Sequence, residues 1–208
     1  MAYRALLIDL DDTLFDRTAA LRAWGDTSAR AQLGRPLAAA EWELLVELDG
    51  RGHRSREAFA ADARDRLGLS VDAPGFGHLL VEHIAREPGV LETVTQLAET
   101  KRIAIVTNGG AAQRAKLCAL GLDGIVHAVF VSGELGSDKP ALEIFERALR
   151  WTEHAAADVL FVGDDPVIDL APAALLGMAT AWRARGSWPR ELALPTHRIE
   201  SITELAAL

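Results

Sequence analysis

Residues 4–10 contain the apolar run Ala5-Leu6-Leu7-Ile8, with no polar alternation. Such a run predicts a strand buried on both faces. Between Arg17 and about Arg86 the pattern changes. Apolar residues recur at helical spacing, the stretch is rich in Ala, Arg, Glu and Leu, and there are no β-branched runs. Four amphipathic helices are predicted, over 18–33, 38–48, 56–67 and 76–86. Breaks fall at Gly34-Arg35-Pro36, Asp49-Gly50-Arg51-Gly52, Gly68 and Pro74-Gly75. Pro88-Gly89-Val90 opens a fifth helix running to about Thr100, with proline at an early position.

Beyond that point strands and helices alternate. Strands are predicted over 102–107, 125–132, 159–162, 179–182 and 197–199. Helices are predicted over 111–120 and 141–150, with another ending near Gly177. This order implies an α/β fold: a Rossmann-like parallel sheet with helices on both faces. Residues 1–16 and 88–208 form the expected core, and 17–87 an inserted helical cap. In open sheets of this kind, ligands bind at the carboxyl ends of the strands.

Four strand ends carry candidate chemistry. The first strand runs into Asp9-Leu10-Asp11-Asp12-Thr13. Clustered carboxylates are costly unless a cation or a proton answers them. On an extended chain Asp9 and Asp11 would point the same way, forming the oxygen-rich site that Mg²⁺ prefers. The next strand ends in Thr107-Asn108-Gly109-Gly110, which reads as an oxyanion cradle or an ordinary helix-capping turn. Lys139, before Pro140, is either an inward-aimed ammonium or a solvated lysine. The fourth strand ends in a second acidic cluster, Asp164-Asp165 with Asp169. Together these supply a metal site, a nucleophile, an oxyanion site and a countercharge, the requirements of phosphoryl transfer to a carboxylate.

DLDDTLF, VTNG, the lysine of SDKP and GDDPVID resemble the four motifs of the haloacid dehalogenase superfamily, in its phosphatase branch with a small helical cap. The resemblance covers nearly the whole chain. It implies that Asp9 is the nucleophile and Asp11 the general acid/base. Thr107 and Lys139 would hold the phosphoryl group, with Asn108 assisting. Mg²⁺ would be held by Asp9, the backbone carbonyl of Asp11, and Asp164, with Asp169 orienting metal-bound water or Lys139. Halide-releasing members carry no carboxylate at the position of Asp11, so the resemblance favours phosphate chemistry. Two residues depart from the pattern. Asp165 stands where a small polar residue is frequent and reads as a cap of the following turn. Pro172 requires the helix there to start close to it or to bend.

The expected activity is Mg²⁺-dependent hydrolysis of a small phosphorylated metabolite, of the nucleotide or sugar phosphate class, through an aspartyl phosphate. Two alternatives remain open: a phosphotransferase or phosphomutase on the same scaffold, and a non-catalytic binding protein. Within the cap, Arg51, His53 and Arg54 are candidates for reaching the distal part of a substrate, although a solvated turn is the commoner reading of such a charge run. Trp24 and Trp42 read as cap core.

Lys plus Arg total 22 against 30 Asp plus Glu, a net charge of −8, which disfavours nucleic acid and anionic membranes as main partners. The lone Cys118 excludes an intrachain disulfide and reads as a small apolar filler on a helix. With no signal-like pattern and no apolar run near the roughly 20 residues of a membrane span, a soluble cytoplasmic protein is expected.

Overall fold

The computed structural model describes residues 3–208. The first two positions of the expected core segment lie outside the described residues. The chain divides into two compact units: one runs to Phe15 and resumes over Arg86–Leu208, and the other is Asp16–Ala85.

The first unit is built on six parallel strands: β1 (Ala5–Ile8), β2 (Arg102–Thr107), β3 (Ala128–Val131), β4 (Val159–Gly163), β5 (Ala179–Arg183) and β6 (His197–Ile199). Their order is β3-β2-β1-β4-β5-β6. Every residue of β1 is buried, because it pairs with β2 on one side and β4 on the other and both faces are covered. The strand order reverses direction at β1, so a crevice opens at its carboxyl end. This is a Rossmann-like α/β architecture.

The second unit is helical: α1 (Arg17–Leu33), α2 (Ala39–Asp49), α3 (Arg56–Leu67) and α4 (Phe76–Val81). The first three follow the predicted periodicity and stop at the predicted glycine breaks. The fourth is shorter than the 76–86 expectation. Its end closes in turns, His83 N–H to Leu80 O and Ile84 N–H to Val81 O, and Pro88 disfavours helical backbone at Glu87 just beyond. Trp24, Phe59 and Phe76 form the aromatic centre of this unit, with ring centroids 4.7–6.2 Å apart. Trp42 packs at its edge.

One ion pair is buried inside this helical unit. Arg17 donates to both oxygens of Asp49 at 2.5 and 2.8 Å, and the two side chains are 3% and 1% exposed. Arg56 adds a third bond at 3.1 Å. Burial pushes the Asp49 carboxyl up, but the two guanidiniums outweigh it and hold it below the usual carboxylate range.

In the first unit the sheet is flanked by α5 (Val90–Ala98), α6 (Ala112–Leu120), α7 (Ser132–Leu135), α8 (Leu142–Thr152) and α9 (Ala171–Leu175). Ala5, Leu7, Ala104, Val106 and Phe161 pack with Ile144, Phe145 and Ala148 of α8. Several local expectations are corrected. Pro88 lies before α5, whose cap is Gly89, instead of inside it. Ile125 and Val126 N–H close a turn on Leu122 O, and Ser132 already starts α7, so β3 is half the predicted length. Cys118 is exposed, on the outer face of α6. Pro172 falls in the first turn of α9, where its missing N–H costs nothing, after a π-helical turn over Pro166–Leu170. Among the described residues no helix is long and apolar enough to cross a membrane.

Asp49→Ala would remove the buried carboxylate that Arg17 and Arg56 share, and the full chain should lose about 3–5 kcal/mol in denaturant unfolding. Because the native carboxyl is depressed, its contribution is present above the unfolded pKa of about 4 and lost as pH falls through the lower folded value. Hydrogen-exchange protection factors over residues 17–67, taken against the intrinsic rate at each pH, should therefore fall on acidification in the wild type, and less steeply in Asp49→Asn.

Candidate active site

β1 ends at Ile8, but Asp9 N–H still bonds Val162 O at 2.9 Å, so the nucleophile candidate stays in register beside β4. The chain then turns. Asp12 takes φ 59°, Leu14 N–H returns to Leu10 O, and Asp11 bridges to Phe15. Asp9 and Asp11 both lie just beyond β1, and their carboxylates meet different side chains: Asp9 meets Lys139 and Thr13, Asp11 meets Lys116 and Gln113.

Asp9, Asp164 and Asp169, all buried, each place a carboxylate oxygen within 4.8 Å of the others. Lys139 Nζ lies among them, 2.6 Å from Asp9 Oδ1 and 2.7 Å from Asp169 Oδ1. Thr13 Oγ1 donates to Asp9 Oδ2 at 2.9 Å and approaches Asp164 Oδ1 at 3.4 Å. Burial pulls the Lys139 ammonium down, but the charges of Asp169 and Asp9 prevail and raise it above the usual lysine value. Burial pushes the Asp169 carboxyl up to about 7; Lys139 opposes that rise and Asp9 adds to it. Three buried carboxylates this close together, only two of them in contact with the Lys139 ammonium, fit a hard divalent cation.

Backbone contacts fix these groups. The Asn108 amide donates to Lys139 O at 2.9 Å and accepts from Lys139 N–H at 2.8 Å, across the cis Lys139–Pro140 turn. The Asn108 side chain thus holds the Lys139 backbone, with one of its two amide N–H donors used in that contact. Gly109 N–H bonds Ser132 Oγ at 3.0 Å, tying the β2 loop to α7. Trp182 Nε1 donates to Asp164 O at 3.0 Å. Asp165 Oδ1 accepts from Val167 and Ile168 N–H at 2.9 and 3.0 Å, which is the capping role expected of it. Arg183 donates to Thr13 O and Arg185 to Asp12 O, and Glu87 joins the two arginines at 2.6 and 2.5 Å.

The haloacid dehalogenase-like hydrolase family model matches residues 3–177. The chain belongs to that family. The hydrolase is 26% identical to glyceraldehyde 3-phosphate phosphatase of Methanopyrus kandleri over 98% of both chains. It is 32% identical to phosphoserine phosphatase of Thermus thermophilus over 78% of its own length, but it spans only 61% of that protein. It superposes on the crystal structure of the putative HAD-hydrolase YfnB from Bacillus subtilis bound to magnesium with a TM-score of 0.79 at 25% identity, covering 100% of this chain and 98% of that one.

The hydrolase brings Asp9, Asp164, Asp169 and Lys139 together. Asp11 sits beside them on the loop, its carboxylate bound by Lys116 Nζ at 2.6 and 2.8 Å and by Gln113 Nε2 at 2.7 Å. Gln113 Nε2 also reaches Thr107 Oγ1 at 2.6 Å. Arg51, His53 and Arg54 belong to the helical unit, in the turn between α2 and α3. There Arg54 donates to Leu48 O at 2.9 Å and to Asp62 at 2.6 Å. The sequence reading missed Thr13, Gln113, Lys116, Arg183 and Arg185. A signal existed for two of them: Gln113 and Lys116 share the buried face of α6 with Leu117 and Leu120.

Gly163 leaves room for Asp169: a Cβ there would meet Asp169 Oδ2 at 2.5 Å and its Cβ at 2.7 Å. Gly163→Ala should displace Asp169 and with it Lys139. Turnover of the hydrolase should drop on the order of 10²-fold, with the far-ultraviolet circular dichroism unchanged.

Proposed function

We propose that this hydrolase is a Mg²⁺-dependent phosphomonoesterase acting on a small phosphorylated metabolite through an aspartyl phosphate on Asp9. The observation that carries the reading is the pairing of buried Asp9 with Lys139, inside the Asp9–Asp164–Asp169 group. A carboxylate nucleophile must meet a dianion, and Lys139 beside it offsets the repulsion. Phosphatase relatives acting on phosphoserine and on glyceraldehyde 3-phosphate support the same chemistry.

In this mechanism Asp9 attacks phosphorus in line. Asp11 protonates the departing oxygen, then removes a proton from the water that cleaves the aspartyl phosphate. Thr107, whose hydroxyl accepts from Gln113, presents its own proton to a phosphoryl oxygen. Lys139 holds the countercharge throughout, and Asp169 keeps its ammonium on Asp9. Asp9, Asp164 and the Asp11 carbonyl would hold Mg²⁺, with Asp169 orienting its water. When bound, Mg²⁺ supplies charge neutralisation at the transferring phosphoryl group. The helical unit Asp16–Ala85 is the proposed cap. Within it Arg51, His53 and Arg54 are proposed to meet the substrate's distal part, Arg54 also bracing its own turn through Leu48 O and Asp62.

A screen of phosphorylated metabolites with Mg²⁺ present should reveal at least one substrate released as alcohol and inorganic phosphate. Asp9→Asn should abolish that turnover while the protein stays folded, since Lys139 keeps Asp169 as its partner. Near-normal turnover in Asp9→Asn would remove the nucleophile assignment.

Chelation should abolish activity reversibly. Mg²⁺ at about 100 times its dissociation constant should add about 2.7 kcal/mol of stability, read as a rise in the thermal midpoint. Asp164→Ala should lose most of that rise. Full activity of a metal-free preparation would overturn the metal requirement.

A further inference from the structure

We propose that Lys116 and Gln113, on the inward face of α6, are positioning residues for the Asp11 carboxylate. This inference rests on the phosphatase reading and extends it to a helix outside the four strand-end motifs. Lys116 is 4% exposed and Gln113 3%. An ammonium and an amide on a helix's buried face are costly unless they are bonded. Both are bonded to one loop carboxylate. Lys116 Nζ meets Asp11 Oδ1 at 2.6 Å and Oδ2 at 2.8 Å. It also stands 5.8 Å from the ring centroid of Phe15, the residue that closes the Asp11 loop. Gln113 uses its single NH₂ group twice, on Asp11 Oδ2 at 2.7 Å and on Thr107 Oγ1 at 2.6 Å. The opposite amide orientation would turn its oxygen toward the carboxylate, so the network fixes the side chain.

Two consequences follow. Asp11 is drawn toward α6, and its carboxylate does not belong to the Asp9–Asp164–Asp169 group. The loop carboxylate therefore does not compete with Asp9 and Asp164 for a cation. In addition, Gln113 connects the proposed proton donor to the hydroxyl proposed to hold the phosphoryl group. The two groups are held in a fixed relation across β1 and β2. Proton transfer depends steeply on such placement.

The test compares kcat/KM for an alkyl phosphate, whose leaving oxygen needs a proton, with that for dinitrophenyl phosphate, whose leaving group does not. Wild type, Asp11→Asn, Lys116→Met, Lys116→Arg and Gln113→Leu are measured. Asp11→Asn should lower the alkyl-to-aryl ratio by roughly 10² or more. Lys116→Met and Gln113→Leu should each lower it by about tenfold, with the loss in kcat and little change in KM. Lys116→Arg should recover most of the ratio. Equal losses on both substrates in Lys116→Met and Gln113→Leu, or no recovery in Lys116→Arg, would overturn the inference while leaving the phosphatase reading intact. An unchanged ratio in Asp11→Asn would overturn the reading of Asp11 as proton donor itself. If Lys116→Met does not fold, Gln113→Leu and Lys116→Arg still decide.

Discussion

The ammonium of Lys139, wedged between Asp9 and Asp169, is the contact on which the catalytic end depends. Buried carboxylates repel one another and resent the loss of water. Lys139 makes their proximity tolerable, yet one ammonium leaves a surplus of negative charge among Asp9, Asp164 and Asp169. The Asp169 carboxyl is raised first by its burial and then by the charge of Asp9, against the opposing pull of Lys139. The surrounding sequence serves the same arrangement. Asn108 holds the Lys139 backbone from both sides, Gly163 gives Asp169 its space, and Thr13 and Trp182 orient Asp9 and Asp164.

How much of this was legible in the sequence depended on how local the cause was. Asp9 and Asp164 were readable because each closes an apolar run, and strand ends in a parallel sheet converge; Lys139, set off from β3 by α7, was readable only from its place before Pro140 and in company with the other strand ends. The helices α1 to α3 were readable from periodicity and glycine breaks. Lys116 and Gln113 were not singled out, although their positions on an apolar face mark them, because their partner lies more than a hundred residues away. Arg183 and Arg185 left no local trace: they serve the Thr13 and Asp12 carbonyls, which have no sequence identity, and a carboxylate, Glu87, nearly a hundred residues away. The overlong third strand had a different cause. Ile125 and Val126 have strand-like side chains, but Leu122 O captures both their N–H groups in a turn. Cys118 was misplaced because its residue type is usually buried, whereas the face of α6 it occupies points outward.

The helical unit has its own polar centre. Arg17 and Asp49 meet beside an aromatic core that could have been wholly apolar. Their three-way bond with Arg56 joins the start of α1, the end of α2 and the start of α3. An apolar contact would tolerate sliding between these elements. A buried fork of this kind admits one register, and Asp49 also accepts from Gly52 N–H to shape the turn that carries Arg51.

Phe15 and Glu87 stand on either side of the inserted segment. Phe15 is tied to Asp11 by its backbone bridge, and Glu87 is fastened by two arginines that also grip the Asp12 and Thr13 carbonyls. Both junctions are therefore anchored on the core's own loop, independently of what lies between them. A segment mounted on two such posts can be lengthened, shortened or exchanged by recombination without altering the aim of Asp9. Changes within residues 16–85 thus need not pass through the contacts that hold the Asp11–Thr13 loop.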